Sequence, residues 1–365
     1  MYKQEIYDFL QSVSPDRFAA PWDNGGLQVG RLDEALTGIM VSLNPSSKAI
    51  AEAKKNHCNL LVCHHPLFFK LPNKLDTARE PGKTISAALC SDVTIVSFHT
   101  SLDSVALNRY LAERLDLPLD KLLLQTGKSV FFKLVVFVPS DSAKKVAEAL
   151  WAAGAGKIGF YEEASFLSSG VGTFKPLEGA HPFIGEIGKR EEVKEERLEV
   201  VVPQDRSKEV LAALRASHPY EAIAYDLIEL EGGEPYGFGL WGEVEETTVL
   251  EIARRIQKIL KPSSLRLVGS FENKVEKIGF CGGGGSDLFD SALEKKLDLF
   301  VTGECKYHTA LDARAAGLNV LEVGHQATEQ PVVDFLIQTL KEKTDRPVLG
   351  YWEEEPFQSF TEGSL

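Results

Sequence analysis

One stretch of the sequence occurs twice, and this repeat constrains the fold more than any other feature. The segments LVVFVPSDSAKKVAEAL (134–150) and LEVVVPQDRSKEVLAAL (198–214) align without gaps and share Leu, Val, Pro, Asp, Lys and Ala at matching positions. In each copy, β-branched residues predict a strand that ends at Pro139 or Pro203. Apolar residues at helical spacing then predict a helix, so each copy is expected to form a strand followed by a helix.

The residues around the repeat extend this prediction to a whole module. Asp141 and Asp205 follow the two prolines and are expected to cap the two helices. A further apolar strand, AIAYDLIEL (222–230), follows the second copy. The segment 130–232 is therefore expected to form a separate α+β domain, a duplicated βαβ module of ferredoxin-like plan.

Short runs rich in Val, Ile and Leu alternate with helical patterns on both sides of this module. These runs are GIMVSL, LLVCH, TIVSFH, KIGFC, LFVTGE and NVLEVGH. Continuous apolar runs with helices between them are typical of a buried, largely parallel sheet covered on both faces. We therefore expect an α/β fold in which residues 1–129 and 233–365 form two similar lobes of one split domain, interrupted by the inserted domain.

The composition argues against several classes of protein. The 365 residues include 40 Lys and Arg against 53 Asp and Glu, a formal net charge of −13, without the basic cluster that a nucleic-acid surface requires. No apolar run is long enough to span a membrane, and the amphipathic start MYKQEIYDFLQSV does not resemble a signal peptide. The 5 cysteines lack CxxC spacing and suit a reducing compartment. We expect a cytoplasmic protein whose partners include neither membranes nor nucleic acid.

Histidines and carboxylates follow three of the apolar runs, where each predicted strand ends. They are His64 and His65 after LLVC, His99 and Asp103 after TIVSF, and His325 and Glu329 after NVLEVG. Ligands of open α/β sheets collect at the carboxyl ends of the strands, so these side chains are expected to meet. His325 and Glu329 are four residues apart and would share a helix face, with Thr328 as a candidate cap.

The types of ligand indicate a pair of divalent ions. Adjacent histidines on a strand point to opposite faces, so His64 and His65 suit two neighbouring ions better than one. Three imidazoles and two carboxylates fit two ions with a bridge, either Glu329 or Asp103, and mixed N and O ligands favour Zn, Mn, Fe or Co. A contact with a ligand or with substrate suits His99 better than ligation. The positive charge of such a pair would attract a small anionic substrate. The structural alternative is a set of histidines bonded only to backbone carbonyls.

Three further segments are weaker candidates, and each is equally consistent with a purely structural role. TGECKYHTALDA (302–313) offers several polar side chains at another strand end, among them His308. CGGGGSD (281–287) exposes backbone N–H groups that could hold an anion, and WDNGGLQVG (22–30) is a tight turn. His181 and His218 of the inserted module are interpreted as ordinary loop residues.

Several of these segments together resemble a known family. In chain order, WDNGGLQVG, CHHPLFF, SFHTSLD, TGECKYHTALDA and GHQATEQP are similar to the motifs of the GTP cyclohydrolase I type 2 homologue family, also called the Ngg-one-interacting factor three-like family. The resemblance spans nearly the whole chain. It implies a homohexameric ring, a PII/CutA-like insertion of the long bacterial members, and two divalent ions per subunit. The implied metal ligands are His64, His65, Asp103, His325 and Glu329, with Glu329 as the bridge.

Three residues depart from the pattern that the resemblance implies. Glu304 and Asn44 each stand where relatives often have Asp, and Cys305 stands where they often have Ile. None is expected to touch the proposed ligands, but the changes are expected to affect the surroundings of those ligands and thus the choice of substrate. The resemblance implies a metal-dependent hydrolase for a small phosphate-bearing or nucleotide-like substrate. GTP cyclohydrolase action is one candidate, with His99 or His308 as the proton donor. The alternative is a non-catalytic, metal-responsive binding or scaffold protein that forms a ring.

Overall fold

The computed structural model describes residues 1–159 and 161–357, and the chain divides into two compact units. Unit 1 comprises Met1–Gly127 together with the chain from Tyr236 onward, and unit 2 comprises Lys128–Pro235. The limits expected from the sequence for the insertion, 130–232, lie inside unit 2. Within the described residues, none of the helices combines the length and apolar character needed to cross a membrane.

The two units are built from short strands and mostly short helices. In chain order the strands are β1 (Gly26–Val29), β2 (Ile39–Ser42), β3 (Leu60–Cys63), β4 (Thr94–Ser97), β5 (Lys121–Lys128), β6 (Phe131–Pro139), β7 (Ser165–Phe174), β8 (Glu191–Pro203), β9 (Tyr225–Leu230), β10 (Pro235–Thr248), β11 (Arg266–Val268), β12 (Lys274–Cys281), β13 (Leu299–Thr302), β14 (Asn319–Glu322) and β15 (Val348–Tyr351). The helices are α1 (Lys3–Val13), α2 (Ser47–Lys55), α3 (Gly82–Ser91), α4 (Thr100–Leu102), α5 (Asn108–Arg114), α6 (Ala143–Ala152), α7 (Ser207–Ser217), α8 (Val249–Leu260), α9 (Phe289–Glu294), α10 (Tyr307–Ala316), α11 (His325–Glu329) and α12 (Val332–Lys341). A π-helical turn, Asp103–Leu107, joins α4 to α5.

Unit 1 contains a five-stranded sheet of order β1-β4-β3-β2-β15. The last four strands are parallel, and β1 lies antiparallel to β4 at one edge. Every residue of β2, β3 and β4 is buried, because apolar side chains cover both faces of the sheet. Val62 packs into one core and Leu61 into another. The continuous apolar runs of the sequence therefore correspond to strands buried on both sides.

A six-stranded sheet of order β11-β14-β13-β12-β10-β5 completes unit 1. Strands β12, β13 and β14 are parallel, whereas β10 runs antiparallel to β12 and β11 runs antiparallel to β14. The two sheets share one apolar core, to which the first contributes Val41 and Val62 and the second contributes Phe280 and Val301. This shared core holds the strands of both sheets in one rigid framework, from which the side chains at their carboxyl ends project.

Unit 2 is a four-stranded antiparallel sheet with two helices, in the chain order β6-α6-β7-β8-α7-β9. The sheet order is β7-β8-β6-β9, which places the two strands of the sequence repeat side by side in the centre. Matching residues of the repeat occupy matching places in the core: Val146 and Val210 are buried, as are Leu150 and Leu214. The strands β6 and β8 end at Pro139 and Pro203, where the sequence predicted their ends.

The predicted helix caps of the repeat are wrong. Asp141 and Asp205 each lie inside a short 3-10 turn, and the α-helices begin only after Ser142 and Arg206, which hold the N-cap positions without side-chain cap bonds. The hydrogen bonds of a 3-10 turn satisfy some of the N–H groups that a cap would otherwise bind. The N-cap of each α-helix therefore lies one residue later in the chain than predicted.

Candidate metal centre

The residues singled out at the three strand ends lie together in unit 1. His64 and His65 directly follow β3, His99 follows β4, Asp103 begins the π-helical turn, and His325 and Glu329 are the first and last residues of α11. The Nε2 atom of His64 lies 3.4 Å from Oδ1 of Asp103. The Nε2 atoms of His65 and His325 each lie 2.8 Å from Oε2 of Glu329. Side chains from the carboxyl ends of two different sheets therefore meet around one carboxylate.

Two overlapping groups of these residues could hold a metal ion. One group is His64, His65 and His99, and the other is His65, His325 and Glu329; within each group the potential ligand atoms lie within 4.8 Å of one another. Exposure differs across the site: His64 and Glu329 are buried, whereas the side chain of His65 is 17% exposed and that of His325 is 37% exposed. The site is therefore enclosed by protein at His64 and Glu329 and open to solvent at His65 and His325.

Each imidazole of the site uses its Nδ1 atom to bond an oxygen outside the cluster. The pairs are His64 with the carbonyl of Phe98 at 2.9 Å, His65 with Oδ1 of Asn44 at 2.7 Å, His99 with Oδ1 of Asp23 at 2.9 Å, and His325 with Oε1 of Glu304 at 2.9 Å. Carbonyl and carboxylate oxygens only accept hydrogen bonds, so Nδ1 is the donor in each pair. A neutral ring then carries its lone pair on Nε2, the nitrogen that faces the cluster.

Asn44 and Glu304 were expected not to touch the proposed ligands, and this expectation is wrong. Asn44 lies just past the end of β2, which is the sheet neighbour of β3, and so reaches His65. Glu304 lies just past the end of β13, the neighbour of β14, and so reaches His325. Hydrogen-bond partners of this kind fix the ring orientation and the tautomer of a metal-binding histidine.

Asp23 is a residue of the candidate site that was not named individually from the sequence. It lies in WDNGGLQVG, one of the three weaker candidate segments. Its Oδ1 atom accepts a bond from Nδ1 of His99, and its Oδ2 atom accepts bonds from the backbone N–H and the hydroxyl of Thr100. Burial raises the pKa of Asp23, but the bonds from His99 and Thr100 outweigh that effect and hold the pKa below its usual range. Asp23 is therefore an ionised anchor for the His99 ring.

Burial and close neighbours perturb the pKa values of several groups of the cluster, among them His64, Asp103 and Glu329. Burial lowers the pKa of His64 to about 3, so its ring is neutral at physiological pH. Burial and the negative charge of Glu329 raise the pKa of Asp103, although the nearby His99 has the opposite effect. For Glu329, burial raises the pKa, yet the contacts with His325 and His65 outweigh it and lower the pKa well below its usual range. A bound cation would offset the repulsion between the two carboxylates.

Unpaired buried atoms show that this arrangement fits a metal. Nε2 of His64 and Oε2 of Glu329 are buried without a hydrogen-bond partner. The Nε2 atoms of His65 and His325 lie 2.8 Å from Oε2. In a neutral ring this nitrogen carries a lone pair, and a hydrogen bond to Oε2 needs a protonated ring, which the carboxylate favours by raising the pKa of His325 to about 9. Leaving one buried polar atom unpaired costs about 1–3 kcal/mol. A divalent cation accepts lone pairs from imidazole and carboxylate together, so the donor set matches a metal ion.

The glycine run after β12 supports Glu329 and does not present a free anion cradle. Three of its N–H groups are already bonded within the chain: Gly282 donates to Asn108, Gly283 to Thr328 and Gly285 to Thr302. A Cβ atom at Gly283 would lie 2.0 Å from Oε1 of Glu329, and Gly283 has a φ of +62°. Only glycine therefore lets the loop approach the carboxylate this closely.

Two remaining predictions concern the ends of helices near the site. The prediction that Thr328 caps α11 is wrong, because Thr328 lies inside that helix and Gly324 holds the N-cap position; the Thr328 hydroxyl instead donates to the carbonyls of Gly324 and His325. His308 lies exposed on α10 in ring contact with Tyr307, and it belongs to neither metal-holding group of the described residues. A catalytic role for His308 stays a prediction.

The comparison with protein families agrees with the resemblance noted in the sequence. The family model Duf34/NIF3 (NGG1p interacting factor 3) matches residues 1–351. The chain belongs to the Duf34/NIF3 family. Relatives of this Duf34/NIF3 chain include the GTP cyclohydrolase 1 type 2 homologs of Bacillus subtilis, 38% identical over 89% of this chain and 88% of the relative, and of Halalkalibacterium halodurans, 36% identical over 93% of both.

A solved structure extends the likeness of this Duf34/NIF3 chain to three dimensions. The crystal structure of a Bacillus cereus protein related to NIF3 has a TM-score of 0.84 and 33% sequence identity, and the match covers 99% of each chain. The mixed α/β fold with several sheets is thus shared with a member of the same family. The metal centre described above lies wholly within the part of the chain that the family model matches.

Proposed function

We propose that the protein binds two divalent metal ions and is a metal-dependent hydrolase for a small phosphate-bearing or nucleotide-like substrate. One observation carries the proposal. Four imidazoles have Nδ1 committed to oxygen acceptors, so their Nε2 atoms face one cluster that contains the buried carboxylate of Glu329. Imidazole Nε2 atoms grouped around a buried carboxylate bind cations, which are protons on the rings or divalent metal ions in their place.

The distances support a division of the ligands between two ions. Oε1 of Glu329 lies 4.0 Å from Nε2 of His64, whereas its Oε2 atom faces His65 and His325. His64 and Asp103 would therefore hold one ion, and His65 and His325 the other, with Glu329 as the bridge. The ligand types suit Zn, Fe, Mn or Co.

His99 is the residue that we assign to proton transfer. Its ring centroid lies 5.1 Å from that of His64 and 5.3 Å from that of His65, and the ionised Asp23 holds its Nδ1 proton. This arrangement leaves Nε2 of His99 free to take or give a proton at the edge of the cluster. When bound, the metal ions would supply Lewis acidity and lower the pKa of a coordinated water.

The surroundings of the site and the relatives support the choice of substrate. The open side at His65 and His325 admits a small molecule, and a pair of divalent ions attracts an anion. The name GTP cyclohydrolase 1 type 2 homolog, carried by relatives, makes a nucleotide the first candidate. We further infer a homohexamer in the cytoplasm as the working form, on the family resemblance and the free state of all five thiols.

We also infer a finer description of the fold. Each sheet of unit 1 has three consecutive parallel strands with an antiparallel strand beside the last, β1 beside β4 and β11 beside β14, which supports two similar lobes. The order β6-α6-β7-β8-α7-β9 supports a ferredoxin-like, PII/CutA-like inserted domain at 130–232.

The test combines metal analysis with an activity screen. Purified protein is analysed for metals by mass spectrometry, loaded with Zn, Fe, Mn or Co, and incubated with GTP and a panel of phosphoesters. We expect about two ions per subunit and turnover of at least one compound. A His65→Ala variant should lose metal and turnover, whereas the matched His181→Ala variant, in an exposed loop of unit 2, should keep both.

The two outcomes of the screen separate the competing functions. Turnover that is equal in wild type and His65→Ala would remove this site from the reaction. Binding of two ions without turnover of any compound, together with a change of melting temperature or assembly on metal addition, would favour the metal-responsive scaffold. A wild-type protein that takes up no divalent ion would refute both.

A further inference from the structure

Unit 2 contains a cavity of about 570 Å³ that is separate from the metal centre in the chain. The cavity lies on the face of the four-stranded sheet opposite the helices. Leu134 and Leu198 point to the helices, whereas Glu195 and Phe137, at alternate register positions, line the cavity. Its volume falls within the range of about 300–1,000 Å³ that is typical of small-molecule sites.

Two glycines of β7 create the space for this cavity. Gly170 and Gly172 are two residues apart and therefore share the face that carries Glu195. A Cβ atom at Gly172 would lie 2.0 Å from Oε2 of Glu195, whereas one at Gly170 would meet nothing within 4 Å. Glycine inside a strand is unfavourable and marks places where another group approaches the backbone closely. The two glycines therefore leave an open volume beside Glu195, and they make the strand less stable.

Glu195 is a buried acid with few hydrogen-bond or ion-pair partners to offset the charge of its carboxylate. It is 7% exposed, and the Tyr220 hydroxyl donates a hydrogen bond of 2.9 Å to its Oε1 atom. Within the described residues Glu195 has no ion pair, and Arg197, the next residue on the same face, pairs with Glu199 at 3.1 Å. A buried carboxylate that receives one neutral hydrogen bond keeps a large desolvation cost. Such a group favours a cationic ligand.

Aromatic rings surround the tyrosine that bonds Glu195. The ring of Tyr220 lies 5.8 Å from that of Phe174 and 6.5 Å from that of Phe183, and both phenylalanines line the cavity with Phe137. The faces of aromatic rings attract cations, and rings combined with a carboxylate are the usual means of binding organic ammonium groups.

His218 holds this arrangement together and is not the ordinary loop residue expected from the sequence. The side chain lies in a buried position, and its Nε2 atom donates to the carbonyl of Phe137 at 3.0 Å. Its Nδ1 atom accepts the backbone N–H of Tyr220 at 3.1 Å. Both ring nitrogens are thus used to position Tyr220, the donor to Glu195.

We propose that unit 2 binds a small organic ammonium ion, whose cationic head contacts Glu195 and the aromatic rings and whose apolar part fills the space beside Gly170. Charge complementarity identifies the occupant, because the one buried ionisable group among the charged lining residues is the acid Glu195 and aromatic rings lie beside it. The other charged lining residues are exposed, and they are Lys175, Arg197 and Glu221. Of these, Arg197 pairs with Glu199. This binding is independent of the metal centre and of the hydrolase reaction proposed above.

The test is isothermal titration calorimetry of the full-length, metal-loaded protein with four probes of similar size. Benzyltrimethylammonium and phenethylamine carry the cation, 2-phenylethanol is the neutral match, and 3-phenylpropionate is the anionic match. We expect the two ammonium compounds to bind at least about tenfold more tightly than the other two. Circular dichroism and melting temperature check that every variant is folded.

Two variants and one control assign the binding to the cavity. Glu195→Gln keeps the shape of the side chain and should weaken ammonium binding at least about tenfold. Gly170→Val places a side chain in the open space and should abolish binding. Glu196→Gln removes the same charge from the adjacent residue, whose carboxylate bonds the hydroxyls of Ser140 and Ser169, and should bind like wild type.

The opposite results would overturn the proposal. Equal ammonium affinity in wild type and Glu195→Gln would place binding elsewhere. Tighter binding of 3-phenylpropionate than of the ammonium probes would mean that a cationic side chain, and not Glu195, selects the ligand. No heat of binding with either ammonium compound at millimolar concentration would leave the cavity without the proposed ligand class.

Discussion

Two buried carboxylates, Glu329 in unit 1 and Glu195 in unit 2, lie in contrasting surroundings. The Nε2 atoms of His65 and His325, which can bind a metal ion when the rings are neutral, lie 2.8 Å from Oε2 of Glu329. Glu195 instead accepts a hydrogen bond from the hydroxyl of Tyr220, whose ring lies near other aromatic rings. The first set of neighbours suits a hard or borderline metal cation, and the second suits a soft organic cation.

The contrast teaches that a buried acid alone does not define a site. Both carboxylates need a positive partner, but the atoms around them determine which cation can bind. The histidines follow the same rule: the four of the candidate metal centre bond through one nitrogen and present the other, whereas His218 uses both. A histidine with both nitrogens hydrogen-bonded has no lone pair left for a metal.

The largest effect is expected for Glu329→Gln. The amide would remove the bridging charge and place N–H groups against the imidazoles, so metal affinity should fall by at least about a hundredfold. Metal content after dialysis at fixed free zinc measures the change. Glu195→Gln removes the same charge in unit 2 and should leave the metal content at the wild-type value. An equal metal loss in both variants would erase the distinction between the two carboxylates.

A smaller effect is expected for Gly283→Ala. The new methyl group would meet Oε1 of Glu329 and strain a residue of positive φ, which should destabilise the protein by about 1–3 kcal/mol and weaken metal binding. Urea denaturation and metal analysis measure the two quantities. Gly284→Ala is the matched control, since its φ is −84° and a Cβ atom there would meet nothing within 4 Å. Similar losses in both variants would show that the close approach to Glu329 is unimportant.

The smallest effect concerns the pH dependence of unit 2. Burial lowers the pKa of His218, although the bond to Phe137 and the charge of Glu195 act in the opposite direction. The unfolded chain therefore binds a proton more readily than the folded one. The stabilisation is fully present above the ordinary pKa of 6.5 and is lost as the pH falls below it.

Hydrogen exchange tests this pH dependence within unit 2. Amide protection of β6 and α7 should decrease between about pH 7 and about pH 5.5, and a His218→Gln variant should show a flatter dependence. NMR titration of the His218 ring should give a pKa below 6.5 in the folded protein. A pKa above that value would mean that the ring does not need to be neutral to hold Tyr220.

The residues of the candidate metal centre could be named from the sequence because they follow strands whose type was evident. β3 (LLVC) is apolar throughout, and β4 (TIVS) and β14 (NVLE) have apolar residues at their centres, a pattern that indicates parallel strands buried on both faces. The carboxyl ends of such strands carry the functional residues, so His64 and Glu329 could be named without coordinates.

The partners of those ligands were not predictable by the same reasoning. Asp23 precedes β1, an antiparallel edge strand, and only the pairing of β1 with β4 brings its turn near His99. Asn44 and Glu304 required the order of neighbouring strands, which periodicity does not give. The cavity of unit 2 was missed because β7 is rich in Ser and Gly, residues that strands usually avoid.

The order of the ligands along the chain has a consequence for biosynthesis. Translation produces His64, His65 and His99 before the inserted segment, and His325 and Glu329 only after it. A nascent polypeptide on the ribosome therefore carries three of the imidazoles without Glu329, the carboxylate around which they group. Under the proposed metal binding, the complete site forms only after the chain beyond the inserted segment has been made, so a product truncated within that segment would lack His325 and Glu329.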